Sequence, residues 1–184
     1  MRGFPKPLIL VLINNYSMID KNILETTVEE WLTTAASRAD HESEKGDYYL
    51  VDVEMTADDR IVIEIDHADG VWIEDCADLS RFLQEKLGDE LGDYELEVGS
   101  AGIGQPFKVI QQYRNHIGKE VEVLQKNGQK VQGTLVSVAD DNTFVVKVQE
   151  KQRVEGKKRP VLVEVEKTFA IDDIKYCKYL LNFK

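Results

Sequence analysis

The spacing of apolar residues changes character part-way along this 184-residue chain, and the change calls for two kinds of folded unit. Before Gly99, runs with the 3.6-residue period of a helix alternate with runs of period two; after Gly118 only period two remains. In the first region Leu24, Val28, Trp31, Leu32 and Ala35 mark a helix that Asp20 can cap, with Ile19 and Leu24 placed for a hydrophobic staple. A charged linker from His41 to Asp47 follows. Tyr49, Val51, Val53 and Met55 then alternate with polar residues, and Ile61, Ile63 and Ile65 do so again after a turn from Thr56 to Asp59. Turn chemistry from His67 to Gly70 leads into a second helix through Cys76, Leu79, Leu83 and Leu87, ended by Gly88. Tyr94, Leu96 and Val98 mark a third strand. The order α-β-β-α-β joins strands two and three by a helical crossover, which makes them parallel and predicts a three-stranded sheet covered by two helices.

Beyond a glycine-rich bend of Gly99, Gly102, Gly104 and Pro106, a short helical segment is predicted from Phe107 to His116, closed by Gly118. Five strands follow. Val121 and Val123 alternate with glutamates up to Asn127-Gly128, a strong hairpin signal. The next strands carry Val131 to Val138, Phe144 to Val148, Val161 to Phe169, and Ile174 to Leu180. A helix followed by five short antiparallel strands is the plan of an SH3-like or Sm-like barrel, so the whole chain is expected to be α+β. The expected boundaries are a disordered extension over residues 1–17, an α/β domain over 18–100, an interdomain bend over 101–106 and the barrel over 107–184. In the extension the apolar run from Leu8 to Ile13 is far shorter than a membrane span and no A-x-A site follows it, which makes Met18 the expected native start.

Charge divides along the same line. The chain holds 34 acidic and 23 basic residues, a formal charge of −11. Residues 1–100 carry 8 basic and 24 acidic side chains, and residues 101–184 carry 15 basic and 10 acidic, so the halves stand at −16 and +5. Such a balance excludes a protein that coats nucleic acid or anionic membrane indiscriminately, while leaving room for one basic face. Two distant cysteines, Cys76 and Cys177, and three scattered histidines form no zinc or disulfide pattern, which fits a reducing cytoplasm.

Conventional catalytic chemistry is missing. Gly104 is followed by Gln105 and Pro106 where a phosphate-cradling loop needs Lys and Ser or Thr. Asp66, Asp69, Glu74, Asp75 and Asp78 could be read as a Mg²⁺ site, but Glu74 and Asp75 sit where a helix N-terminus favours negative charge. No nucleophile, cofactor or metal site is expected, and the chain does not read as an enzyme. The suggestive feature is a basic loop holding Lys151, Arg153, Lys157, Lys158 and Arg159, with Lys147 and Lys167 on the flanking strands. These seven residues are the candidate contacts to RNA phosphates.

Three runs then carry a family resemblance: GVWIEDCADLSR from Gly70 to Arg81, YELEV from Tyr94 to Val98, and GIGQPF from Gly102 to Phe107. Together they resemble the bacterial ribosome maturation factor RimP, in order and length, over residues 18–184. Trp72 stands where that family usually has a Ser or Thr that caps the helix, Gly99 and Ala101 replace a Ser and a Pro in its bend, and Gln105 replaces an Arg. The resemblance implies a non-catalytic, cytoplasmic, monomeric assembly factor that binds the free 30S subunit and assists its late maturation. Its implied partners are 16S rRNA and a basic small-subunit protein near the decoding region, with no membrane. A stand-alone Sm-like RNA-binding regulator is the alternative.

Overall fold

The first helix starts where the sequence supplies a cap. In the computed structural model of the chain, which describes residues 19–36, 48–152 and 160–181, the Asp20 carboxylate accepts the Asn22 backbone N–H at 3.1 Å and opens α1 (Lys21–Ala36). Ile19 and Leu24 are both buried in the same cluster, as a staple requires. The predicted extension over residues 1–17 and the linker from His41 to Asp47 lie outside the described residues.

Strand β1 (Tyr49–Met55) pairs antiparallel with β2 (Arg60–Asp66). After α2 (Ile73–Leu87) and a single 3-10 turn, Gly88–Leu91, β3 (Glu95–Ser100) pairs with β2 in parallel, which is the crossover the element order demanded. Alternation along β2 sends Ile61, Ile63 and Ile65 to one side, where all three are fully buried with Leu24, Val28, Trp31, Leu79 and Leu83 of the two helices. Val62, Glu64 and Asp66 take the other side. A β-bulge at Val51 shifts the register so that Tyr49 opposes Asp66 and Asp52 opposes Glu64, putting both β1 residues on that polar side despite their odd separation.

Trp72 holds the N-cap position of α2 without a capping side chain. Tyr48 braces this end from outside the helix: its hydroxyl accepts the N–H of the N-cap residue Trp72 itself at 3.4 Å and donates to the carboxylate of Asp75 in the first turn. Burial and the Asp75 carboxylate together push the Tyr48 phenol above its ordinary pKa, so it remains a donor.

The second half begins with a shorter helix than the spacing predicts. Phe107 gives its N–H to the Cys177 carbonyl at 2.8 Å, and Pro106 bridges Lys178, so this stretch is extended and α3 spans only Ile110–Asn115. Five strands follow: β4 (Glu120–Gln125), β5 (Lys130–Val138), β6 (Thr143–Gln152), β7 (Val161–Ala170) and β8 (Ile174–Tyr179). They form one antiparallel sheet in the order β7-β6-β5-β4-β8. Among the described residues no ladder joins β7 to β8, so the sheet is not closed into the expected barrel. Val121, Val123, Leu135, Phe144, Val146 and Cys177 are buried inside it under Tyr113.

Strands β5 and β6 approach closely at Gly133. A Cβ there would lie 2.2 Å from the Lys147 carbonyl oxygen of β6, backbone against backbone, with no flexible side chain to yield. Gly133→Ala is expected to cost about 1–3 kcal/mol as β5 and β6 are forced apart. Urea unfolding of the two proteins measures this.

Candidate functional site

The strands that carry the candidate phosphate contacts run beyond the body of the sheet. The β5–β6 ladder ends at Thr134–Lys147, whereas β6 and β7 stay paired out to Gln152–Val161. The result is a two-stranded ribbon leading to the basic loop. Arg153, Lys157, Lys158 and Arg159 lie outside the described residues. The other three candidates are described, and they do not share a surface. Lys147 and Lys151 project from one face of β6, while Lys167 lies opposite Val146 on the core-side face of β7. Lys147 is paired with Glu164 at 3.4 Å and Lys167 with Glu150 at 2.5 Å. Lys151 is exposed and has no ion pair among the described residues. The stalk of the ribbon is therefore largely self-neutralised, and its excess charge resides towards the loop.

A second polar constellation lies across the outer face of β4, β5 and β8. Glu122 is only 6% exposed, yet its carboxylate is fully engaged. It accepts from the Tyr176 hydroxyl at 2.7 Å, Gln132 Nε2 at 2.9 Å and Lys130 Nζ at 3.3 Å, with Lys178 Nζ at 4.0 Å. The Tyr176 hydrogen bond, followed by that of Gln132, holds the Glu122 pKa down at about 2. Lys178 also sits 5.6 Å from the centre of the Tyr176 ring. This cluster fixes a tyrosine and two ammonium groups on one sheet face. Glu122 alternates with Val121 and Val123 and so belonged on the outer face, but nothing in the sequence indicated that four neighbours would cover it.

The junction of the two halves is a third constellation with no sequence signal, since its partners are 44 to 66 positions apart. Lys108 Nζ reaches Asp52 Oδ2 at 2.9 Å and Glu64 Oε2 at 2.7 Å. From α3, Gln112 Nε2 donates to Asp66 at 3.4 Å and Asn115 Nδ2 to the Tyr49 hydroxyl at 3.3 Å. In the bend, Gly102 and Gly104 have φ of +66° and +79°, values that favour glycine, whereas Gly99 lies within β3 opposite Glu64.

Three of the five carboxylates weighed as a cation site serve separate structural partners. Asp66 accepts from Tyr49 and Gln112, Asp75 from Tyr48, and Asp78 from the Trp31 indole at 3.0 Å. Among the described residues no three His, Cys, Asp or Glu side chains converge as metal ligands. None of the described helices is long and apolar enough to cross a membrane.

Residues 40–104 match the RimP N-terminal domain family. A ribosome maturation factor RimP of Porphyromonas gingivalis is 37% identical over 158 residues, covering 86% of this chain and 96% of the relative; one from a second strain of that species is 36% identical over the same length. A RimP of Flavobacterium psychrophilum is 30% identical over 119 residues, covering 65% of this chain and 77% of the relative. The chain belongs to the RimP family. Within this chain, the match to the N-terminal domain family takes in β1 to β3 with α2, and the longer alignments extend into the five-stranded sheet. The Tyr48 hydroxyl ties Trp72 to Asp75 at the start of α2 in this chain, where the resemblance leads one to expect a capping hydroxyl.

The depressed pKa of Glu122 has a readable consequence. Its folded value near 2 lies below the ~4.3 of an unfolded glutamate, so its stabilisation is full above ~4.3 and is lost as pH falls towards 2. The melting temperature of Glu122→Gln is expected to fall furthest below wild type at neutral pH. That gap is expected to narrow through this acid window, as a melting series from about pH 7 to about pH 2 measures.

Proposed function

We propose that this chain is a ribosome maturation factor that acts without covalent chemistry, binding the free 30S subunit through 16S rRNA and a basic small-subunit protein. The observation that carries the reading is the 37% identity that spans 96% of a ribosome maturation factor RimP, so the likeness covers both halves rather than one module. Charge supports it. A half at −16 suits a basic protein surface and a half at +5 suits rRNA, a division that a mixed RNA and protein target rewards. Assistance to maturation then comes from tighter binding to an intermediate than to the finished subunit.

On this reading the domains are residues 18–100 and 107–184 with a bend over 101–106, and the second is an SH3-like barrel left partly open. The strand order β7-β6-β5-β4-β8 and the close approach at Gly133 support that assignment. The rRNA contacts are Lys147, Lys151, Arg153, Lys157, Lys158, Arg159 and Lys167, weighted towards the loop because Lys147 and Lys167 already have carboxylate partners.

Sucrose-gradient sedimentation of a lysate at low salt is expected to place the protein in the 30S fractions and outside the 70S fractions. Absence from 30S fractions overturns the proposal. Neutralising Lys157, Lys158 and Arg159 together is expected to weaken subunit binding. It is also expected to flatten the plot of log affinity against log salt, by roughly 0.7–0.9 for each phosphate that the variant no longer neutralises. Lys147→Ala and Lys167→Ala are expected to change that slope less. Unchanged binding by the triple variant would remove the loop from the interface.

A further inference from the structure

The junction between the halves differs from the packing within them. Each half closes its own apolar cluster, and the two clusters share no residue. Among the described hydrogen bonds and ion pairs, those that join their side chains across the junction are Lys108 with Asp52 and Glu64, Gln112 with Asp66, and Asn115 with Tyr49. We infer that Lys108, held between Asp52 and Glu64, is an electrostatic latch that sets the angle between the two halves and releases them when it is broken.

Asp52 and Glu64 stand directly opposite each other on neighbouring strands, a like-charge pair that is destabilising unless a cation bridges it. Lys21 approaches Asp52 at 3.6 Å from α1, but Lys108 is the cation bonded to both carboxylates. Lys108 is also preset, because the side-chain oxygen of the buried Gln112 accepts the backbone N–H of Lys108 at 2.7 Å and of Val109 at 3.3 Å. The same Gln112 reaches across to Asp66, so one residue orients the latch and adds to it. Finally, the ionic partners keep 27–42% of their side-chain surface in solvent. A junction that wet is sensitive to salt and to competing charge, unlike an apolar interface. The bend beside it contains Gly102 and Gly104, both at positive φ, where the chain can change direction at little steric cost.

The test is ¹⁵N relaxation on the full chain, which reads the rotational correlation time of each half separately. At ~0.1 M salt the wild-type halves are expected to share one correlation time; at ~1 M, where the screening length falls from about 10 Å to about 3 Å, they are expected to separate into two shorter ones. Lys108→Ala is expected to show the separated values already at the lower salt, and Lys108→Arg to retain the shared one. Dispersed amide spectra from both halves check that each remains folded. Should Lys108→Ala unfold, Glu64→Gln, which keeps the shape and removes one charge, is expected to separate the halves at lower salt than wild type. A shared, unchanged correlation time in a folded Lys108→Ala at both salts overturns the latch, as does independent tumbling of the wild-type halves at ~0.1 M. Neither result bears on whether the chain binds the 30S subunit.

Discussion

The structure turns on the two-sidedness of β2. Its isoleucines, Ile61, Ile63 and Ile65, are completely buried beneath α1 and α2, and each such side chain contributes about 1.5–3 kcal/mol when removed from water. The reverse side of the same strand presents Glu64 and Asp66, the carboxylates that receive Lys108 and Gln112 from the second half. One seven-residue strand thus anchors the helices with its apolar edge and the rest of the chain with its polar edge. A register slip of one residue would exchange the two roles and leave neither intact.

That two-sidedness was legible in the sequence, as was most of the fold. Alternation gave the strands, and the crossover rule gave the parallel pairing of β2 with β3. The five-strand pattern after Gly118 matches the five-stranded sheet, although closure of a barrel is a property of edges that no periodicity encodes. Sequence alone overextended the third helix, because the Phe107 N–H is claimed by the distant Cys177 carbonyl. The candidate contacts were legible only as composition. Lys167 continues the odd-numbered series of Val161, Val163 and Val165, so its place on the core-side face was readable, but its pairing with Glu150 required the register of the hairpin. Lys108 was not readable at all, since its partners lie 44 and 56 positions earlier and nothing local sets it apart.

The charge of the chain acquires a different meaning once it is placed. Within the β-rich half, Lys147, Lys167 and Lys130 are matched by glutamates from neighbouring strands. Glu122 itself lies nearly buried among two lysines, a tyrosine and a glutamine. The sheet body is therefore an organised mixture of signs rather than a basic slab. Lysines already paired with glutamates offer less to a polyanion than those without such partners, and among the described residues Lys151 has no ion pair.

The reach of Tyr48 to the start of α2 also bears on the order in which the chain can assemble. No side chain caps the first turn of α2, and the hydroxyl that bonds both the N–H of its N-cap residue and its Asp75 carboxylate comes from Tyr48, 24 residues upstream at the entrance to β1. Those two bonds at the beginning of α2 form only once the start of β1 is in place. Helix and sheet in this half are thereby tied at a point that neither forms alone.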